Sequence, residues 1–220
     1  NDTTQNKDAH LDMLNRFREK KAKILVGTQM IAKGHDFPDV TLVGIIDADM
    51  SLHFADYRAT ERTYQLITQV SGRAGRAEKP GEVVLQTYSP RHYVYRYVIN
   101  GDYTGFYEKE INLREVTKYP PFSRIVRVLV SGEDQALTHG VLKNIFDELG
   151  EKFKTERNCV AYFSAMKSPV KRISNKYRVQ ILMRIVRDYD RITQMVYEAA
   201  DRYAVSKVSV FVEINPNNLS

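Results

Sequence analysis

The 220-residue sequence contains one cysteine, no tryptophan and no long apolar run. A single thiol, Cys159, excludes an internal disulfide, and with five scattered histidines it makes no recognisable structural zinc set. No stretch approaches the roughly 20 apolar residues of a membrane span. No basic n-region followed by an apolar h-region opens the chain as a signal peptide would. Also missing are a G-x-x-x-x-G-K-[ST] loop and a strand ending in a D-E-x-H magnesium site, the devices with which a P-loop nucleotidase holds Mg-nucleotide. The expectation is a cytosolic protein that hydrolyses no nucleoside triphosphate by itself.

What is present is ordinary in bulk and uneven in place. With 43% apolar and 27% charged residues the composition is that of a globular protein, and the length suits one large domain or two small ones. The net charge of +6 is not spread evenly. Acidic and basic residues cancel over 1–115, and the whole excess falls in 116–220. Arg157, Lys167, Lys171, Arg172, Lys176, Arg178, Arg184 and Arg187 follow one another with no acidic residue between them. Such a run suits a polyanion footprint, or simply a solvated basic face.

The first half alternates helical and strand periodicities. His10 to Lys21 sets Leu11, Leu14 and Phe17 at helical spacing. Lys23–Gly27 and Thr41–Asp47 are short apolar runs bounded by Gly, Pro and Asp, which predict buried parallel strands. Arg58 to Val70 predicts a helix with Leu66 and Val70 on its stripe, and Glu82–Thr87 a further strand. Alternating strands and helices imply an open α/β sheet, which binds ligands at the carboxyl ends of its strands. Residues 89–118 carry many aromatic rings and predict a packed helical connector, which Pro120 and Pro121 end. Beyond them, Arg124–Ser131, Gln135–Phe153, Val160–Met166, Lys176–Val186, a helix capped by Asp188 and the alternating Val208–Ile214 give β-α-β-β-α-β, the split βαβ pattern. The domains expected are 1–88, 89–120 for the connector, and 121–220.

Two segments carry chemistry. Gly27 to Phe37 reads GTQMIAKGHDF directly after a predicted strand, and Gln69 to Arg76 reads QVSGRAGR at the end of a predicted helix. Fixed guanidinium groups stabilise the negative charge that spreads over a γ-phosphate during transfer, and their planar forks grip oxygens better than an ammonium does. Arg73 and Arg76, three apart, project to one side of a helical turn. Equally, a basic helix end can satisfy its own carbonyls. At the first segment Thr28 and Gln29 fall at a strand's carboxyl end, where a short hydroxyl can bond a DNA phosphate. Gly34 permits close backbone approach there, and Lys33 and His35 can add phosphate contacts. The same residues also suit a strand–loop–helix connection with no ligand. Asp47 and Asp49 resemble a metal pair, but acidic residues ending a parallel strand more often cap the next helix, and no metal site is expected. Arg172, Lys176 and Arg178, with Tyr177 interleaved, can grip the phosphates of a DNA fork; the alternation places Tyr177 on the opposite side from Arg178, in the core.

The two segments resemble helicase motifs V and VI of superfamily 2. GTQMIAKGHDFPDVTLV, DYRATERTYQLITQVSGRAGR, PGEVVLQTYSP and YPPFSR further resemble the primosomal protein N′ (PriA) family of replication-restart DNA helicases, in its C-terminal part. The resemblance covers nearly the whole chain and is most specific through residue 124; later, ISNKYRVQIL and the terminal Val212–Pro216 still fit, whereas Phe163–Pro169 departs from the Gly-Pro-rich turn of the family. It implies a partial second RecA-like lobe over 1–88 and an α+β C-terminal domain. It implies that Gln69 faces the nucleotide, that Arg76 is the arginine finger with Arg73 its partner, and that Asp36 meets the ribose or orders Arg76. ATP and Mg2+ would be held mostly by an upstream lobe, where the family's zinc-binding cysteines also lie. The implied activity of the intact protein is ATP-driven 3′-to-5′ unwinding at abandoned forks and loading of the replicative helicase, in the bacterial cytoplasm at the nucleoid. Its implied partners are forked and single-stranded DNA, single-stranded-DNA-binding protein and other primosome proteins. Two rival readings are a non-catalytic docking module for DNA or protein, and a superfamily 2 RNA helicase, which shares motif VI but not the GTQMIAKGHDF and YPPF wording.

Overall fold

The computed structural model describes residues 7–28, 37–72, 74 and 81–217. They divide into two compact units, one from Asn1–Leu52 and Thr60–Gly101, the other from His53–Ala59 and Asp102–Ser220.

In the first unit, helix α1 (Lys7–Arg18) buries Leu14 and leaves Leu11 exposed. Phe17 meets Phe37 edge to face at 5.0 Å. Strand β1 (Leu42–Ile45) pairs in parallel with β2 (Glu82–Leu85), with Leu42 opposite Glu82 and Ile45 opposite Leu85. Helix α2 (Ala59–Ser71) lies between them in sequence, and α3 (Tyr93–Ile99) follows β2. The buried stripe of α2 is Thr63, Tyr64 and Ile67; Leu66 and Val70, expected on it, are only half-buried. Lys23–Gly27 forms no strand: Ile24 and Val26 are 78% and 80% exposed, so no layer covers them and no ladder partner takes up their backbone among the described residues. An apolar run becomes a buried parallel strand only when flanking strands and helices enclose it.

The second unit opens with α4 (Tyr103–Thr117), capped by the Asp102 carboxylate accepting from the Gly105 amide at 2.9 Å. It ends on Lys118 in the left-handed conformation, two residues short of the cis Pro120–Pro121 peptide. Then come β3 (Arg124–Gly132), α5 (Gln135–Phe153), β4 (Val160–Ile173), β5 (Lys176–Ile185), α6 (Tyr189–Arg202) and β6 (Val208–Ile214). The sheet order is β4-β5-β3-β6 with all neighbours antiparallel, the split βαβ architecture. Val126, Val128 and Val130 of β3 and Val179, Ile181, Met183 and Ile185 of β5 pack with Val141, Ile145 and Leu149 of α5 and Ile192, Val196 and Ala199 of α6. Each such side chain contributes about 1.5–3 kcal/mol when fully buried, so this is the main core of the unit.

The second face of the same sheet is also covered, which alternation alone does not predict. Ile125 and Leu182 pack there with Tyr57, Tyr119, Tyr162 and Met166. Arg127, 6% exposed, donates to Glu213 at 2.6 Å on this face, and Gln180 is buried beside it. Gly132 ends β3 where a Cβ would lie 2.6 Å from Thr138 Oγ1, so only glycine fits against α5.

Leu137, in the first turn of α5, is 38% exposed. Two local expectations change. Asp188 holds the N-cap position of α6 but its left-handed backbone turns the carboxylate away, and it makes no cap hydrogen bond. Arg191 instead forks between Glu156, at 2.6 and 2.8 Å, and Asp188, at 3.0 Å. Hydrogen bonding to that guanidinium holds both carboxyls below their ordinary range, while burial pushes the neighbouring Cys159 thiol up. Finally, β4 runs to Ile173 rather than stopping near Met166, and Phe163–Pro169 lies within it.

Candidate nucleotide and DNA interface

Of the residues singled out in the first half, Gln29, Lys33, Gly34, His35, Asp36, Arg73 and Arg76 lie outside the described residues. Thr28 is exposed and sits on irregular backbone, not at the end of a strand. Gln69 is exposed in the last turns of α2. That helix closes with the Gly72 amide donating to the Thr68 carbonyl at 3.1 Å and the Ala74 amide to the Ser71 carbonyl at 3.2 Å.

The carboxyl ends of β1 and β2 are held by a residue that pattern reading places only as a helix cap. Past the strands the ladder continues, with the Gln86 amide on the Ile45 carbonyl and the Ala48 amide on the Gln86 carbonyl, both at 2.9 Å. Asp49 is 1% exposed and directly precedes the 3-10 turn Met50–His53, where its carbonyl accepts from the Leu52 amide at 2.8 Å. Its carboxylate accepts from the Thr87 hydroxyl at 2.9 Å, the Tyr88 amide at 2.6 Å and the Tyr95 phenol at 2.7 Å. Burial first, and the adjacent Asp49 carboxylate next, push the Tyr95 phenol up to about 12, although its bond with Thr87 opposes them. Asp49 thus ties the segment after β1 to the segment after β2 and to α3. No group of His, Cys, Asp or Glu among the described residues could hold a metal ion. A buried acid is invisible to periodicity, and the only sequence signal was its place just beyond a strand.

In the second unit the basic residues gather on the β4–β5 hairpin. Its turn, Ser174 and Asn175, has positive φ at both positions, as a two-residue hairpin matching the strand twist requires. Arg172 and Lys176 are exposed and Arg178 half-buried. The register sets Arg172 opposite Tyr177 and Ile173 opposite Lys176, so Lys176 and Arg178 share one face while Arg172 shares the other with Tyr177. The Arg172 guanidinium lies 4.9 Å from the Tyr177 ring centroid and donates to the Asn175 side chain. Tyr177 is half-buried, not in the core, because its β3 neighbour is Gly132, which has no side chain to cover it.

Arg184, counted in the same basic run, does not face outward. Its guanidinium sits 4.5 Å from the Tyr119 ring and 4.4 Å from the Tyr162 ring and donates to the Thr117 carbonyl. The exposed basic surface is therefore smaller than the charge count suggests, and it centres on the hairpin's far end. Among the described residues no helix is long and apolar enough to cross a membrane.

Against known proteins, residues 2–78 match the helicase conserved C-terminal domain and residues 115–217 the primosomal protein N C-terminal domain. The chain is 41% identical to the replication restart protein PriA of Bacillus subtilis (strain 168) over 98% of its length and 27% of the relative's. It is 36% identical to that of Synechocystis sp. over 100% of its length and 26% of the relative's. For the protein of Borreliella burgdorferi the identity is 28%, over 97% of the chain and 32% of the relative. The chain spans about a quarter to a third of the length of these curated relatives.

Proposed function

The chain belongs to the PriA family of replication restart proteins, combining its helicase C-terminal domain with its own C-terminal domain, and on that premise we propose that it forms part of an ATP-dependent 3′-to-5′ DNA helicase for replication restart and primosome assembly. One observation carries the reading: Gln69 stands exposed at the end of α2, and the next residues run straight into Gly72-Arg73-Ala74-Gly75-Arg76. In this reading Gln69, Arg73 and Arg76 supply the transition-state half of an ATPase site, Arg76 as the finger; Gly34 and Asp36 border the nucleotide. ATP and Mg2+ are held mainly by residues outside these 220. Thr28, Gln29, Lys33 and His35 meet DNA phosphates in the lobe, and Arg172, Lys176 and Arg178 meet the fork at the β4–β5 hairpin. Single-stranded-DNA-binding protein and other primosome proteins are the proposed protein partners.

The test is DNA-stimulated ATP hydrolysis. The 220-residue chain is expected to show none, for want of a phosphate loop, and a longer protein that contains the loop is expected to lose about two to three orders of magnitude on Arg76→Ala. Turnover by the 220-residue chain, abolished by Arg76→Ala, would overturn the division of labour. The rival reading, a docking module without catalysis, draws on the exposed basic hairpin, and it predicts that Arg76→Ala leaves the longer protein's ATPase untouched.

A further inference from the structure

The two faces of the β4–β5 hairpin differ in chemistry. Lys176 and Arg178 share the face of Leu182 and Arg184, as their spacing along β5 requires. Arg172 and Tyr177 lie on the other face, and Arg172 gets there through an irregularity of β4. Lys167 stands opposite Val179 and Arg172 opposite Tyr177, so residues 168–171 of β4 face Arg178 alone. The excess on β4 is an odd number of residues, and an odd shift turns every later side chain to the opposite side. Continued without the bulge, the alternation would turn Arg172 to the side of Met166 and Gln180, which is the face of Arg178.

The bulge instead brings the Arg172 guanidinium over the Tyr177 ring, 4.9 Å from its centroid. From the turn, the Asn175 side-chain oxygen accepts from Arg172 Nη2 and holds the group in place. Tyr177 pairs with Gly132 on β3, which puts no side chain beside the ring. Strand β4 is the outermost of its sheet, so no further strand flanks Arg172 among the described residues, and its side chain is exposed. Apolar side chains are exposed at the same end, Val170 at 40% and Ile173 at 48%. A phosphate oxygen needs donors and positive charge, which Lys176 and Arg178 already offer. It gains nothing from a ring behind a guanidinium or from apolar neighbours. A nucleobase does, because its faces are flat and apolar and stack on guanidinium planes as they do on aromatic rings.

We propose that Arg172, backed by Tyr177, is a stacking platform for an unpaired base, so that the hairpin selects single-stranded over duplex DNA. The proposal rests on the hairpin's proposed DNA role and names the form of DNA it takes. The outer side of the Arg172 guanidinium meets the base, while Lys176 and Arg178 on the other face hold the strand's phosphates. Duplex DNA keeps its bases stacked on one another and presents no free base without unstacking.

The test titrates the 220-residue chain into a single-stranded oligonucleotide carrying an adenine analogue whose fluorescence stacking quenches. An abasic strand of equal length and charge serves as the comparison. The parent should quench the analogue and bind the intact strand about tenfold more tightly than the abasic one. Tyr177→Ala should lose most of that preference and the quenching, while Tyr177→Phe keeps both. Should Tyr177→Ala fail to fold, Arg172→Lys, which keeps the charge but not the plane, is expected to show the same loss. Equal affinity of the parent for the two strands, or preference and quenching intact in Arg172→Lys, overturns the platform and leaves a phosphate site. Strand affinity unchanged when Lys176→Glu and Arg178→Glu are combined overturns the hairpin's DNA role and removes the platform with it.

Discussion

The Tyr95 phenol donates to an Asp49 carboxylate oxygen at 2.7 Å, and both side chains are buried where the two parallel strands end. Removing the donor with Tyr95→Phe should cost about 1–3 kcal/mol, since Asp49 keeps its bonds to Thr87 and Tyr88. Asp49→Ala orphans three donors at once and should cost more, about 3–5 kcal/mol. Urea unfolding followed by far-UV circular dichroism measures both. Losses no larger than about 0.5 kcal/mol, the scatter of surface substitutions, would mean that Asp49 is not the tie described.

The same pair sets an alkaline limit. Tyr95 keeps its proton up to about 12 when folded, whereas an unfolded tyrosine loses it near 10. The unfolded state therefore binds fewer protons in that window, and the stability present below about pH 10 drains away as pH rises toward 12. Thermal unfolding from pH 8 to 11.5 should fall more steeply in the parent than in Tyr95→Phe.

Gly132→Ala should destabilise the second unit by about 1–3 kcal/mol, because the new methyl meets Thr138 Oγ1 at 2.6 Å and Val208 Cγ2 at 3.1 Å. Adding Thr138→Ala should recover part of that loss, a non-additivity that a double-mutant cycle detects.

Arg191 gives the acid counterpart. Its bonds hold the Glu156 and Asp188 carboxyls below their ordinary range, so their contribution is present above about pH 4 and is lost as pH falls through the depressed values. Arg191→Ala should therefore lower the melting temperature at pH 7 and make much less difference at pH 2.5. Since Arg191 is 46% exposed, raising salt should narrow the gap as well.

Binding of forked DNA should weaken steeply with salt if phosphates dominate it. Arg172→Glu and Arg178→Glu should each lower the magnitude of the log–log salt slope by about one. Unchanged affinity in both variants removes the hairpin from the DNA surface.

Much of the second unit was legible in the sequence. Gln135–Phe153 is read to its ends because Val141, Ile145 and Leu149 keep one helical stripe, and β5 because Val179, Ile181 and Met183 alternate. Its other face was not, since Gln180 and Arg127 look solvent-facing and are buried on the face where Tyr57 and Tyr119 pack against Ile125 and Leu182, a covering that no local pattern encodes. The first unit was harder. Lys23–Gly27 has a strand's composition without a strand's neighbours, and Asp49 has the place of a cap with the burial of a core residue. Periodicity reports which way a residue would face, and tertiary context decides whether anything is there to meet it.

The two-stranded parallel sheet has a consequence of its own in solution. Leu42 and Val84 lie diagonally on the more exposed face, opposite Glu82 and Gly44, at 60% and 51% exposure, with Ile46 just past β1 at 77%. Neither β1 nor β2 has a second strand partner among the described residues. Bare ladder edges beside an uncovered apolar face template the addition of foreign strands. The 220-residue chain should therefore self-associate as its concentration rises, through β1 and β2 and not through the basic hairpin, and Val84→Lys should raise the concentration at which light scattering first detects it.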